Sequence, residues 1–339
     1  MLKRVLLDII RVGRRSPVES MNLSRTVIGG AASEQKDSRS VELHVGSFLI
    51  VVSGNLQRVA QIKDEPWLAD CVVDPLSLVA ELKGVRPRPD IFIFSQRLPD
   101  TEPHFGFEHE YENFAAIPLT THDHWLKNEV KPQTRNKVRK AEKAGVTTRI
   151  VEFDETLVNG ISAIYNEMPV RQGRKFLHYQ KDIPTVRREN ETYLDRATII
   201  GAFLNDELVG FLKMVYVGRH AKVMQILAFA RHRDKAVTNA LLSKAVEICC
   251  SKNLTHLVYA NYAYGNKGED SLSDFKRGNA FVRIDIPKYY VPLTLKGRAA
   301  LALKLHRSPA DLLPRWLIVR LLAARKWWFN LLASRRETM

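Results

Sequence analysis

Side chains that accept, donate or relay protons concentrate in one short stretch of this chain. Glu167 stands at the end of a predicted helix, just before Pro169 ends it. This position places its carboxylate near the edge at which open α/β sheets bind ligands, so we predict that Glu167 serves as a general base. A solvated glutamate at a helix end explains the same pattern.

The loop after this helix mixes cations, aromatic rings, an imidazole and a glycine within a few positions. Guanidinium groups bind phosphate or carboxylate through paired hydrogen bonds, which assigns Arg171, Gln172 and Arg174 to substrate binding. His178 or Tyr179 would relay a proton. Purely structural roles remain open for the last two residues.

A second polar segment, residues 259–267, reads Tyr-Ala-Asn-Tyr-Ala-Tyr-Gly-Asn-Lys and follows a predicted strand. Because side chains alternate along a strand, Tyr262 and Tyr264 would share a face. We assign Tyr262 and Asn266 to substrate binding, together with Lys276 from a short helix downstream. Aromatic packing with satisfied hydroxyl groups is the alternative.

Composition limits the classes of protein that the chain can belong to. Its 339 residues suffice for two packed units, and 45% of them are hydrophobic. The formal net charge of +15 indicates anionic partners such as a phosphorylated cofactor, nucleic acid or an acidic membrane surface. The three cysteines have no metal-ligand spacing, so we expect no metal and a reducing cytoplasmic location.

Periodicity along the chain predicts an α/β protein with four parts, in which strands alternating with helices form a mixed sheet covered on both faces. The parts are a basic N-terminal helix and flexible linker at 1–39, an α/β half-domain at 40–130, a second α/β domain at 131–297, and a basic helical tail rich in Trp, Leu and Arg at 298–339.

Three stretches together resemble the FemAB-like branch of the GNAT superfamily: YNEMPVRQGRKFLHYQKD at 165–182, the strand pair and helix at 198–253, and FKRGNAFVRIDIPKYYVPLT at 275–294. The resemblance implies a GNAT-type mixed sheet that is splayed open between two central strands and flanked by helices. The acyl donor of that superfamily lies in the gap. Residues 40–130 would then be a degenerate GNAT-like half-domain, and the tail a basic amphipathic helix.

The resemblance also implies where the donor binds. The superfamily usually carries Arg/Gln-x-x-Gly-x-Gly/Ala at the turn before its central helix, and the corresponding stretch here begins at Arg231 and has Asp234 in place of the central glycine. Tyr264 would protonate the departing thiolate. The implied donor is acetyl-CoA or another acyl-CoA, and its predicted binding residues are Gln225, Leu227, Arg231, Arg233, Lys235, Ala236 and Asn239.

The function that follows is N-acyl transfer, most simply acetyl transfer, to an amine on a small-molecule or lipid-linked acceptor such as an amino sugar or cell-envelope precursor. One alternative is a Fem-type transferase that takes its amino acid from aminoacyl-tRNA. Arg135, Arg139 and Lys143 favour it, since their fourfold spacing forms a cationic stripe on a predicted helix. Another is a non-catalytic membrane or nucleic-acid binding module on a decayed GNAT fold.

The tail combines Trp, Leu and Arg between residues 315 and 336. Trp and Arg suit the interface of an anionic membrane, so we predict peripheral attachment to the inner face of the cell membrane. Docking of this helix on the body of the protein, or on a second subunit of a homodimer, is the alternative.

Overall fold

The computed structural model describes residues 40–63, 72–171, 174–262, 271–307 and Arg320. The chain divides into two compact units. The larger unit comprises Val27–Ala263 and Glu269–Arg298, and the smaller comprises Met1–Thr26, Tyr264–Gly268 and Ala299–Met339. The described part of the smaller unit is the end of one helix, the turn after it and Arg320, so the architecture that follows is that of the larger unit.

Thirteen strands are described. In chain order they are β1 Val41–Val45, β2 Phe48–Ser53, β3 Val59–Ile62, β4 Ile91–Ser95, β5 Glu108–Pro118, β6 Thr147–Val151, β7 Val170–Arg171, β8 Arg174–Lys175, β9 Ala197–Leu204, β10 Glu207–Val217, β11 His220–Ala228, β12 His256–Val258 and β13 Val282–Pro292.

Seven α-helices of eight or more residues accompany the described strands. They are α1 Pro75–Gly84, α2 Pro132–Lys143, α3 Glu155–Tyr165, α4 Ile183–Asn190, α5 Val237–Ser251, α6 Ser271–Gly278 and α7 Leu295–Ala302. Short helical segments occupy His122–His124, Trp125–Glu129, Leu194–Arg196 and Ala230–Lys235. Local sequence fixes several helix starts: the carboxylates of Asp74, Asp154 and Asp182 accept hydrogen bonds from the first-turn N–H groups of α1, α3 and α4.

Eleven strands form one sheet in the order β1-β2-β3-β4-β13-β5-β12-β11-β10-β9-β6. Each half has three antiparallel strands, then a helix, then a strand parallel to the third: β1-β2-β3-α1-β4 and β9-β10-β11-α5-β12. One more strand follows each half along the chain: β5 follows β4, and β13 follows β12. Both lie in the centre of the sheet, where β13 pairs with β4 and β5 pairs with β12. The two halves therefore repeat one topology and exchange their final strands.

This exchange joins the two predicted α/β domains in a single sheet. Strand β5 ends at Pro118, before the boundary predicted near residue 130, yet it pairs along its length with β13 from the far end of the chain. The hydrophobic core follows the same continuity: one cluster packs around α5 and β9 to β11, and a second packs around α1 and β2 to β4.

Strand β10 shows which helices cover which face of the sheet. Met214 contacts Cys249 of α5, with 3.7 Å between the sulfur atoms. On the opposite face, Phe211 lies against Tyr165 of α3, and Lys213 bonds the backbone of α4. Helix α5 therefore covers one face, and α3 and α4 cover the other.

Strands β11 and β12 begin together and then separate. Their parallel pairing joins His220 to His256 and ends with Lys222 opposite Val258, whereas β11 continues to Ala228. Beyond this point the chain after β12 continues along β5, its other neighbour, since Tyr259 N donates to Ala115 O at 2.8 Å. A bulge at this level, where the register skips Met224, bends β11 further. The sheet is thus open between two adjacent central strands.

Candidate functional site

The opening between β11 and β12 brings together several residues predicted to bind the donor. Gln225 and Leu227 lie on β11 beyond Lys222, the last residue that pairs with β12. Their side chains are on the face covered by α3 and α4. Tyr262, half-buried, follows β12 on the other side of the opening. Tyr264, Asn266 and Gln172 lie outside the described residues, and only the backbone of Arg174 is described, as part of β8.

The segment predicted to hold a pyrophosphate is a turn of 3-10 helix, Ala230–Lys235, rather than an extended glycine-rich loop. Ala236 follows in the left-handed region, with φ of 54°, and ends the turn by donating to Arg233 O at 3.3 Å. A residue with a Cβ is uncommon in that region. Helix α5 then starts at Val237 without a capping side chain.

Glu167 binds the start of this 3-10 turn. Its carboxylate accepts hydrogen bonds from the backbone N–H groups of Ala230, at 2.5 Å, and Arg231, at 2.9 Å, and contacts the Arg171 guanidinium at 3.2 Å. The Glu167 side chain is only 12% exposed. Both carboxylate oxygens are therefore engaged, an arrangement that suits an anchor for the turn better than the proton acceptor predicted from sequence.

Arg171 completes the same anchor. Its guanidinium donates to Ala228 O at 2.9 Å and to Ile164 O at 2.7 Å, and it lies over the Phe176 ring. These bonds tie the end of β11 to the end of α3. Burial lowers the pKa of Arg171, and the nearby Glu167 carboxylate opposes that shift. The substrate-binding role predicted for Arg171 would have to compete with these contacts.

The cations of the turn have partners of their own. The Arg231 guanidinium pairs with Glu207 at the start of β10 and lies 3.5 Å from the centre of the Phe229 ring. Lys235 lies 3.7 Å from the neighbouring Asp234 carboxylate. Arg233 is exposed. Asp234, the residue that replaces glycine, therefore neutralises part of the positive charge that a pyrophosphate would need.

His178 lies in a buried cluster instead of at the opening. Its ring packs on Tyr165, with 4.5 Å between ring centres, and its Nδ1 lies 3.5 Å from Glu189 and 3.2 Å from the Lys181 amine. Burial opposes ionisation of Glu189, but bonds from His178 and Lys181 outweigh it and lower the pKa of this carboxyl. Tyr179 is half-buried, and its N–H closes a turn by donating to Phe176 O.

A buried polar network packs on β11 at Gln225, on the face covered by α3 and α4, and includes residues that sequence analysis did not single out. Tyr165 donates to Gln225 Oε1 at 2.7 Å, and the Asn190 amide lies 3.4 Å from the Tyr165 hydroxyl. Lys213 donates to Asn190 O at 2.6 Å and to Thr192. Burial raises the pKa of Tyr165 to about 12 and lowers that of Lys213 to about 8. A lysine in the apolar run GFLKMVYV was the available signal.

On the α5 face, Asn239 and Lys276 also have buried partners. The Asn239 amide lies 3.4 Å from Asn279 Oδ1, and Lys276 donates to the Asn261 carbonyl while lying 5.7 Å from the centre of the Tyr259 ring. Lys276 is 1% exposed. These contacts fasten α6 to the chain leaving β12, and the substrate-binding role predicted for Lys276 would have to compete with them.

A third polar cluster lies on the face opposite α5, where β11, β12, β5 and β13 meet. Lys288 pairs with Glu112 at 3.5 Å. Burial lowers the pKa of Lys222 to about 7, with Glu112 opposing the shift, and lowers that of His220 to about 4 with the help of the Arg97 charge. The His220 Nε2 atom has no hydrogen-bond partner in the protein. Neither Lys222 nor His220 was singled out from sequence.

Two further properties concern the described residues only. They contain no cluster of three or more His, Cys, Asp or Glu side chains that could hold a metal ion. None of the helices found among them is both long and apolar enough to cross a membrane.

Comparison of the fold with solved structures confirms the predicted fold class. The chain is similar to FemX, with a TM-score of 0.57 and 11% identity over 79% of this chain and 91% of that one. It is also similar to the C-terminal domain (DUF2156) of a protein described as a lysylphosphatidylglycerol synthetase from Agrobacterium fabrum, with a TM-score of 0.51 and 13% identity over 80% and 90% of the two chains.

A third similar structure is that of L-PGS from Bacillus licheniformis, with a TM-score of 0.50 and 15% identity over 83% of this chain and 99% of that one. No protein-family model and no curated protein sequence matches the chain. At such identities the likeness concerns the fold: a GNAT-type mixed sheet of the FemAB-like kind, with the repeated half described above.

Proposed function

We propose that the chain is an aminoacyltransferase that takes an amino acid from aminoacyl-tRNA and delivers it to a nucleophilic group of a cell-envelope acceptor. The observation that supports this choice of donor is the position of Glu167. Its carboxylate lies on the N–H groups of Ala230 and Arg231, at the entrance of the turn where an acyl-CoA pyrophosphate would bind. A second anion placed there would meet this carboxylate and the Asp234 side chain.

The size of this repulsion supports a donor without a pyrophosphate. Two unit charges about 4 Å apart repel by about 4 kcal/mol at the effective dielectric constant of a protein surface. Backbone N–H groups at a helix start are the usual source of phosphate affinity, and the first two of the 3-10 turn are already bonded to Glu167. A donor held through contacts elsewhere, along a polyanionic backbone, avoids this repulsion.

Helix α2 supplies the surface for such a donor. Its buried side consists of Thr134, Val138 and Ala141. The rest of the helix and Lys131, the residue just before it, carry six cations against one acid, Glu142, and most of them are exposed. These cations are Lys131, Arg135, Lys137, Arg139, Lys140 and Lys143. Helix α2 packs on α5, whose first residue follows the turn beside the opening, so a nucleic acid on α2 would lie near the donor end of the site.

The acceptor is proposed from the net charge and the neighbours. A charge of +15 favours an anionic acceptor such as a phospholipid headgroup or a sugar nucleotide. The names of the neighbours include lysylphosphatidylglycerol, which makes phosphatidylglycerol a defined first probe. The predicted membrane contact of residues 315–336, of which the structure describes only Arg320, would bring the site to such a surface.

Acyl-CoA-dependent N-acyl transfer is the second candidate. It is favoured by the start of α5, a helix of 15 residues that has no capping side chain at Ala236. Its N-terminal N–H groups and dipole could still accept a phosphate that approaches past Asp234. This candidate requires acetyl-CoA to bind measurably in the absence of tRNA.

The test combines binding and transfer. Full-length protein is titrated calorimetrically with acetyl-CoA and CoA, and is then mixed with tRNA charged with radiolabelled amino acids and phosphatidylglycerol vesicles or amino-sugar nucleotides. We expect label in the acceptor from charged tRNA and no heat from acetyl-CoA. Micromolar acetyl-CoA binding would support the second candidate, and failure of both reactions would favour a non-catalytic module.

A pair of matched variants tests the surface of α2. R135Q/R139Q/K143Q removes three cations from the helix, and K63Q/K244Q/R283Q removes three from elsewhere on the surface. Binding of tRNA should weaken with the first variant only, and its logarithmic salt slope should fall by about 2, since each phosphate contact contributes about 0.7–0.9. Equal losses in the two variants would mean that only net charge matters.

A further inference from the structure

Lys222 occupies the point at which the sheet opens. It is the last residue of β11 that pairs with β12, opposite Val258, and beyond it the two strands separate. Register with β10 places Lys222 on the face opposite α5, two residues from His220 and on the same face as Gln225. Position 222 therefore lies beside the gap in which a GNAT-type fold holds its donor.

The surroundings of Lys222 come from four strands and the segment after β4. Val258 pairs with Ala116 of β5, and Glu112 lies four residues along β5, at the level where β11 and β12 have separated. Lys288 of β13 lies 3.5 Å from Glu112. His220, two residues before Lys222, interacts with the charges of Lys222, His256 of β12 and Arg97. Register places Glu110 opposite Lys288, two residues from Glu112 on the same strand. Burial is what disfavours a positive charge on Lys222, and Glu112 opposes this effect.

These groups leave the Lys222 amine able to exist in its neutral form near neutral pH. Burial lowers its pKa to about 7, against an ordinary value of 10.5, and Glu112 limits the shift. A base works best when its pKa lies near the operating pH, because it is then both unprotonated and basic enough. Glu167, predicted for this role from sequence, is held by the turn at Ala230.

We propose that Lys222 is the catalytic base, which accepts the proton of the acceptor nucleophile at the opening between β11 and β12. The proposal rests on the proposed function and adds to it the residue that activates the acceptor.

The acceptor amine or hydroxyl attacks the ester carbonyl carbon of the aminoacyl-tRNA, forming a new C–N or C–O bond, and its proton moves to Lys222 Nζ. The tetrahedral intermediate then breaks the ester C–O bond, and the departing ribose oxygen takes the proton back from the Lys222 ammonium. No other reactant is needed.

The first experiment measures the amine itself in the intact protein, without any substrate. Trace acetylation with isotopically labelled acetic anhydride over a pH series, read by peptide mass spectrometry, gives the titration of each lysine. Lys222 should titrate near pH 7. Lys244, an α5 lysine that pairs with Glu247 at the surface, is the internal reference. Titration of Lys222 together with Lys244 would overturn the proposal, whether or not the protein transfers amino acids.

The second experiment measures single-turnover transfer from charged tRNA as a function of pH. Wild type should gain rate through pH 7 and level off, K222M should lose about 10²-fold or more with tRNA affinity unchanged, and K244M should match wild type. K222R, whose guanidinium stays protonated, should be as slow as K222M. A K222M rate and pH profile equal to wild type would refute the role of Lys222, whereas an inactive wild type would refute the proposed donor.

Discussion

Replacement of Glu167 by glutamine separates an anchoring residue from a catalytic one. The amide keeps one oxygen as an acceptor for the N–H of Ala230 or Arg231, but turns its NH2 group toward the other donor. A hydrogen bond to a charged group contributes about 1.5–3 kcal/mol, and one such bond is lost. Arg171 also loses the carboxylate that faces it while both side chains are 12–15% exposed. Breaking a buried ion pair costs about 3–5 kcal/mol.

The two effects share the same atoms, so we expect E167Q to lower the free energy of unfolding by about 3 kcal/mol rather than by their sum. Urea denaturation followed by circular dichroism measures this loss. The matched control is E207Q, which breaks the half-exposed Glu207–Arg231 pair and should cost less than about 1 kcal/mol. At a temperature where E167Q is folded, its transfer rate should stay close to wild type. A variant with unchanged stability and a rate about 10²-fold lower would refute the anchoring role.

Two further changes test the packing and the electrostatics of the open sheet. A Cβ on Gly210 would lie 2.8 Å from Val237 Cγ1 and 3.0 Å from Leu227 O, so G210A should lower the free energy of unfolding in urea by about 1–3 kcal/mol. The control is G84A, because a Cβ on Gly84 meets nothing within 4 Å. Equal effects of the two substitutions would contradict the close contact of β10 with α5. His220 should lower stability as pH falls from 6.5 toward its folded pKa of about 4, because the unfolded chain then binds a proton that the folded chain refuses. The unfolded histidine is already half charged at pH 6.5, so lowering the pH by two units at about 1.36 kcal/mol per unit should cost wild type about 2 kcal/mol more than H220F. Parallel pH profiles of the two proteins would contradict the burial of His220.

The fold class could be predicted from sequence because its evidence is local. Alternating strands before an apolar helix at 198–253 predict β9 to β11 and α5, and the N-cap residues of α3 and α4, Asp154 and Asp182, are of a type that local sequence favours at helix starts. The exchange of β5 and β13 between the halves could not be predicted. It depends on pairing between residues more than 160 positions apart, such as Phe114 with Ile284, which no local pattern reports.

The candidate site divides in the same way. The family resemblance predicted donor binding at Gln225 and Leu227, and the structure places both residues on β11 beside the opening, beyond its pairing with β12. A carboxylate at a helix end can serve as a general base or as a structural anchor, and sequence alone does not distinguish the two roles. The assignment of Glu167 to catalysis could be weighed only once its partners at Ala230 and Arg231 were known. Lys222 and His220 were missed because the polar cluster that they join includes Glu112 and Lys288, which lie on strands distant in sequence.

The identity of the donor is the central claim, and one calorimetric titration tests it directly. Acetyl-CoA is titrated into the full-length protein at low and high salt, with uncharged tRNA titrated separately into the same preparation. We predict heat from tRNA that declines steeply with salt and no heat from acetyl-CoA, because Glu167 and Asp234 place negative charge at the turn that would receive its pyrophosphate. Micromolar binding of acetyl-CoA, with no binding of tRNA, would contradict the account.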